Sequence, residues 1–314
     1  MIGIKRQLCA ALLLFTVTTA QAELKWTEKA NFGGEARHRG IGFSVGKRGY
    51  MGLGHYNSVV DILFEDIWEY DPSTNTWAQK ANFPGGKMLQ CVAFTINNVA
   101  YVGTGRDPFF VEHDEFYAYD QKTNTWTEIA EFEGSDRHGA VAFALNGKGY
   151  VATGSDGINY KKDLWEYDPL ANDWVQKANM PGAGRIAGVG FSIGSFGYVG
   201  TGNAFGSTND FYAYDPVSNT WSVKADVPGP TRQEATGFSM HGRGYIGTGD
   251  DYSSGTNYSD WWEYDPVTDT WDTVPEFPGM GRRYMASFVI DNVGYCGTGT
   301  SGTNLKDLWE LKKF

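Results

Sequence analysis

Very little in this chain could be cross-linked: three cysteines, Cys9, Cys91 and Cys296, stand in 314 residues. A domain held together by disulfides would show several spaced pairs, so the core must supply the stability, and Cys91 and Cys296 read as small buried residues, unpaired. Basic charge is also short. With 26 Lys and Arg against 37 Asp and Glu the net charge is −11, which argues against nucleic acid or an anionic membrane as partner. Beyond the first residues no apolar run approaches the roughly 20 residues of a membrane span, so no membrane insertion is expected. Helical periodicity is absent, as are GxSxG, HExxH, EF-hand and P-loop patterns. The five histidines lack the close spacing of metal ligands; only His38, His55 and His138 could meet near one place, and neither metal nor cofactor is expected.

One apolar run does stand out. Lys5 and Arg6 precede LCAALLLFTVTTA, which closes on Ala20-Gln21-Ala22, the pattern of a secretory signal peptide over residues 1–22. The expectation is export to the periplasm or cell exterior after cleavage following Ala22. Cys9 lies well before that site, so no lipid anchor is expected. Loss of Lys5 and Arg6 moves the charge from −11 to −13.

What the chain has instead is repetition. DIWEYDPSTNTW begins at Asp66, EFYAYDQKTNTW at Glu115, DLWEYDPLANDW at Asp163, DFYAYDPVSNTW at Asp210 and DWWEYDPVTDTW at Asp260; DLWELKKF, a truncated copy, ends the chain. Each is preceded by Gly-Tyr or Ala-Tyr and a GTG-like triplet, and a Trp recurs at 26, 77, 126, 174, 221 and 271, with 47 to 51 residues between neighbours. A period near 50 with strand-like alternation predicts a β-propeller: all-β, six blades of four antiparallel strands over residues 23–314. The N-terminal LKWTEKANF has the form of a fourth strand with no first three, and the C-terminal unit has three strands and no fourth. Leu24 to Ala30 should therefore complete the last blade and close the ring, leaving no open sheet end.

These units resemble the kelch repeat, although GTG stands where most kelch units carry a Gly-Gly pair. Six residues before the Phe of each innermost strand stand Arg37, Met88, Arg137, Arg185, Arg232 and Arg282. The resemblance implies that Arg at this level can line a central pocket, and it fails at Met88; the alternative is that each Arg braces its blade. Two residues on stand Arg39, Gln90, Gly139, Ala187, Glu234 and Tyr284, which on a strand should point the same way. His38, His138 and Arg283 lie between the two rings. His55, Arg106, Asp107 and Asp250 follow the second strands, and Phe109, Phe110, Tyr160, Phe205 and Tyr252 add aromatic faces. Arg grips carboxylates bidentately, so the expected partner is an acidic carbohydrate or a peptide carboxylate, bound by a monomer. The resemblance also implies an alternative, a mutarotase or epimerase of sialic-acid type, with Arg232 holding the carboxylate and Glu234 moving the proton. A structural or adhesive surface protein is the third possibility.

Overall fold

The alternation in each unit folds into strands alone. The computed structural model describes residues 23–58 and 61–314, and every regular element among them is a β-strand. The expected signal peptide, residues 1–22, lies outside the described residues. Blade one consists of Ile41–Val45, Arg48–Gly52, Ile67–Asp71 and Thr76–Gln79, in that order from the axis outward. Blades two to five repeat it, with innermost strands Val92–Ile96, Val141–Leu145, Val189–Ile193 and Thr236–Met240. Blade six takes Ala286–Ile290, Val293–Gly297 and Leu308–Lys313 from the C-terminus and its outermost strand, Leu24–Lys29, from the N-terminus. Trp26 lies opposite Leu311 in that last pairing, so the ring closes as the half-units at the chain ends require.

The innermost strands bury every second residue. In blade one Ile41, Phe43 and Val45 face the layers between blades, while Gly42 and Ser44 line a channel of about 360 Å³ on the axis. Phe43 stacks on Tyr50 of the next strand at 4.9 Å and 6°, and the pairing recurs at Phe143 and Tyr150; such stacks add roughly 0.5–1.5 kcal/mol each beyond their buried area. The Gly of each Gly-Tyr pair lets one blade press on the last: a Cβ at Gly149 would enter the ring of Phe94. The recurring Trp ties blade to blade at the periphery. Trp77 Nε1 donates to the Ala30 carbonyl at 3.2 Å, Trp174 to Ala130 at 3.2 Å, and Trp26 to Pro275 at 2.9 Å.

Both cysteines among the described residues are free. Cys296 is buried, as expected. Cys91 differs: it lies just before the innermost strand of blade two and lines the axial channel, where it is only partly covered.

Candidate functional site

The mouth of the propeller is built by one device used six times. Each innermost hairpin continues for one further pair: His38 with His55, Leu89 with Arg106, His138 with Ser155, Ile186 with Asn203, Gln233 with Asp250 and Arg283 with Thr300. Between this pair and the strand stands a residue in the left-handed region, namely Arg39, Gln90, Gly139, Ala187, Glu234 or Tyr284, with φ between 54° and 64°. That conformation costs roughly 1–2 kcal/mol at a residue other than glycine. It turns the backbone polar groups sideways, from blade to blade. The N–H of Gln90 donates to Arg39 O at 2.9 Å, Gly139 to Gln90 at 3.0 Å, Ala187 to Gly139 at 2.9 Å, Glu234 to Ala187 at 2.8 Å and Tyr284 to Glu234 at 2.9 Å. These five bonds form a belt that runs around the axis from blade one to blade six, and the side chains of Arg39, Gln90, Glu234 and Tyr284 reach the cavity above it.

The same turns separate the two rings that the spacing places together. Regular strand alternation would aim Arg37 and Arg39 alike, but the strand begins only at Ile41 and Arg39 is itself left-handed. Arg37, Arg137, Arg185, Arg232 and Arg282 are at most 1% exposed, and each is turned into its own blade. Arg137 Nη1 and Nη2 donate to the two carboxylate oxygens of Asp163 at 2.8 Å each, and Nη1 also reaches Thr153 O at 2.8 Å. Arg232 meets Asp260 at 2.9 and 2.6 Å, Arg185 meets Asp210 at 2.5 and 2.7 Å, and Arg37 and Arg282 make the same forked pair with Asp66 and Asp307. Burial alone would raise the Asp210, Asp260 and Asp307 carboxyls; the guanidinium bonds outweigh it and hold them below the ordinary carboxylate range. The five arginines expected at the pocket are therefore spent within their blades. Arg232 does not partner Glu234.

The aspartates in these pairs carry a signal in the sequence that the spacing of the arginines alone does not show. Each opens the repeated phrase, and the unit with Met88 in place of Arg is the unit whose phrase opens with Glu115. In that blade Glu115 is left to His113, at 3.1 Å from Nδ1.

The cavity above the belt has a volume of about 490 Å³. Of the expected site residues it brings together Arg39, Arg106, His138, Glu234 and Tyr284, with Gln90, His55 and Asp107; Asn203, Gln233 and Asp61 join them without having been expected. His38 is buried beside His55, ring centres 4.4 Å apart, and burial first, then the charge of Arg39, lowers its pKa to about 3. His138 is lowered to about 4, by burial and then by Arg106. Arg106 is bound to Glu112 at 2.9 Å. Arg283 lies 3.1 Å from Glu234 and 2.6 Å from Asp250. Burial, the largest influence, lifts Glu234 to about 7; Asp250 raises it further, while Tyr284, Arg39 and Arg283 oppose. Arg39 packs 4.3 Å over the Tyr284 ring and donates to its hydroxyl at 3.1 Å.

Residues 136–181 match the Kelch motif family. That match covers one of six copies of the same unit around the ring described above. The chain is a six-bladed propeller of kelch repeats. A kelch-repeat chain of this fold resembles the solved structure of YjhT with a TM-score of 0.75, at 19% identity, over 88% of this chain and 95% of that one, a likeness of fold. No curated protein matches the chain in sequence.

Proposed function

We propose that the chain is an exported binding module whose mouth grips a small acidic ligand, an acidic sugar in preference to a peptide carboxylate, with Arg39 as the anion-holding residue. One observation carries this reading. Arg39 has no carboxylate partner among the described residues, and its Nε is buried without a hydrogen bond, whereas Arg106, Arg283 and the five buried arginines each have one. A guanidinium at a cavity mouth that is bonded to no carboxylate of its own favours an incoming one. The amides of Gln90, Asn203 and Gln233 and the faces of Tyr160 and Tyr252 line the same cavity, a mixture suited to hydroxyls on one side of a ring and C–H groups on the other.

A screen of residues 23–314 against free uronic and sialic acids, neutral sugars and peptides with free C-termini tests the proposal. Acidic sugars should bind, and Arg39→Met should weaken them by roughly 2–5 kcal/mol with little change in melting temperature. Equal binding by the Arg39→Met protein would overturn it.

The mutarotase reading has its own support in Glu234. A carboxyl lifted to about 7 exchanges its proton near neutral pH, as a general acid and base must, and it stands beside Tyr284 and Arg39. Under this reading the parent speeds interconversion of the anomers of a free sugar acid, followed by NMR, and Glu234→Gln abolishes it while ligand still binds. Unchanged interconversion with and without the protein would leave the binding module alone standing.

A further inference from the structure

The belt is lopsided. Arg39 and Tyr284, from blades one and six, line the cavity on one side of it, and directly across the axis stand Gly139 and Ala187, from blades three and four, which do not. The loops above follow the same division. Phe110 of blade two, Tyr160 of blade three and Tyr252 of blade five line the cavity wall, and Phe205 of blade four stacks on Tyr160 with ring centres 4.9 Å apart at 21°. Phe205 turns its other face to solvent and is 87% exposed; Phe110 is 74% exposed.

Both phenylalanines also occupy the left-handed region, at φ 64°. A bulky side chain there is strained, and at this exposure neither ring returns enough buried area to offset the strain. A polar residue or a glycine would serve the fold of either loop better. Backbone strain retained where it raises an aromatic face to the rim of a binding cavity points to a ligand.

Resting on the reading of the mouth as an acidic-sugar site, we propose that its ligand is the acidic end of a longer carbohydrate: the acidic ring sits over the belt against Arg39, and the following sugar ring stacks on the Tyr160 and Phe205 pair at the rim. Phe205 lies outside the residues that line the cavity, so a single ring held at Arg39 does not reach it. A pyranose presents the flat C–H face that an exposed aromatic ring accepts. Arg39 and Tyr160 line the same cavity, so the acidic ring at the belt and the stack at the rim share one continuous space.

The experiment is calorimetric titration of the mature chain with N-acetylneuraminic acid and galacturonic acid, and with sialyllactose and tri-galacturonate, repeated on Phe205→Ala and Arg39→Met. At least one oligosaccharide should bind the parent roughly tenfold more tightly than its free acid, and Phe205→Ala should remove that advantage without changing affinity for the free acid. Arg39→Met should weaken both. Because Phe205 is exposed, its removal leaves the fold intact, and an unchanged melting temperature verifies this. If oligosaccharide and free acid bind equally in the parent, or Phe205→Ala weakens both alike, the rim subsite is overturned while the acidic-sugar site stands. If no acidic sugar of either length binds, or a peptide carboxylate binds more tightly than all of them, the site reading falls and the rim proposal with it.

Discussion

Two rings of six positions, two residues apart in the chain, have opposite natures. The ring at Arg37, Met88, Arg137, Arg185, Arg232 and Arg282 is nearly uniform and buried, its arginines paired inward; the ring at Arg39, Gln90, Gly139, Ala187, Glu234 and Tyr284 is varied, and its four longer side chains reach the cavity. Repetition of a charged residue around a symmetric fold marks a debt each blade must settle for itself, here an Asp to be neutralised. Variation at a position where the backbone is the same six times marks side chains released from that task. The second blade shows the rule by exception: Met88 and Glu115 replace Arg and Asp together, and Glu115, now outside the core, is partly exposed beside His113.

The largest effect should come from the uniform ring. Arg137→Met or Asp163→Ala leaves a buried charge without its partner and should cost about 3–5 kcal/mol in urea unfolding; a smaller loss in the Arg137→Met, Asp163→Leu double variant than in either single one would show that the penalty is the orphaned charge. A loss under about 1 kcal/mol in the single variants would erase the distinction between the rings.

Next in size is a pH effect from the varied ring. Glu234 holds its proton to about 7 in the fold but releases it near 4.5 when unfolded, so the folded state binds more protons between those values and stability falls as pH rises through them. At 1.36 kcal/mol per pH unit the loss by pH 8 is about 3 kcal/mol. Glu234→Gln should therefore be more stable than the parent at pH 8 and similar at pH 5, measured as urea midpoints; a parent whose midpoint rises from pH 5 to 8 while the variant's does not would refute this assignment. His38 acts in the other direction, its lowered pKa making stability fall as pH drops below about 6.5.

A transplant sharpens the comparison further. Met88→Arg alone should destabilise blade two by roughly 1–3 kcal/mol through overpacking, and adding Glu115→Asp should restore most of it by recreating the forked pair. Failure of the second change to help would mean that blade two differs in more than this pair. The smallest effect is expected for Glu115→Ala, about 1 kcal/mol or less, since its contact with His113 lies near the surface and such contacts contribute little; a loss as large as that of Asp163→Ala would contradict the contrast between blade two and its neighbours.

The fold was legible because it is written six times. The Trp spacing, the Gly-Tyr pairs and the half-units at Leu24 and Phe314 each state the same geometry, and ring closure follows from counting. The site was only half legible, for a physical reason. Aim was inferred from strand alternation, and alternation ends where Arg39, Gln90 and their equivalents turn left-handed, a conformation that nothing in residues as different as Arg, Ala and Tyr announces. Asn203 and Gln233 were missed because neither belongs to any repeated phrase. The pairing of Arg with Asp was within reach, since Met88 and Glu115 change together.

The belt of backbone bonds beneath the cavity has a consequence for change over time. Its hydrogen bonds use only main-chain atoms, and it already carries an arginine, a glutamine, a glycine, an alanine, a glutamate and a tyrosine without altering its course. The mouth thus works like a six-place socket wired independently of what is plugged into it: one residue can be exchanged at a time, each exchange altering what the cavity recognises while the ring beneath keeps its shape.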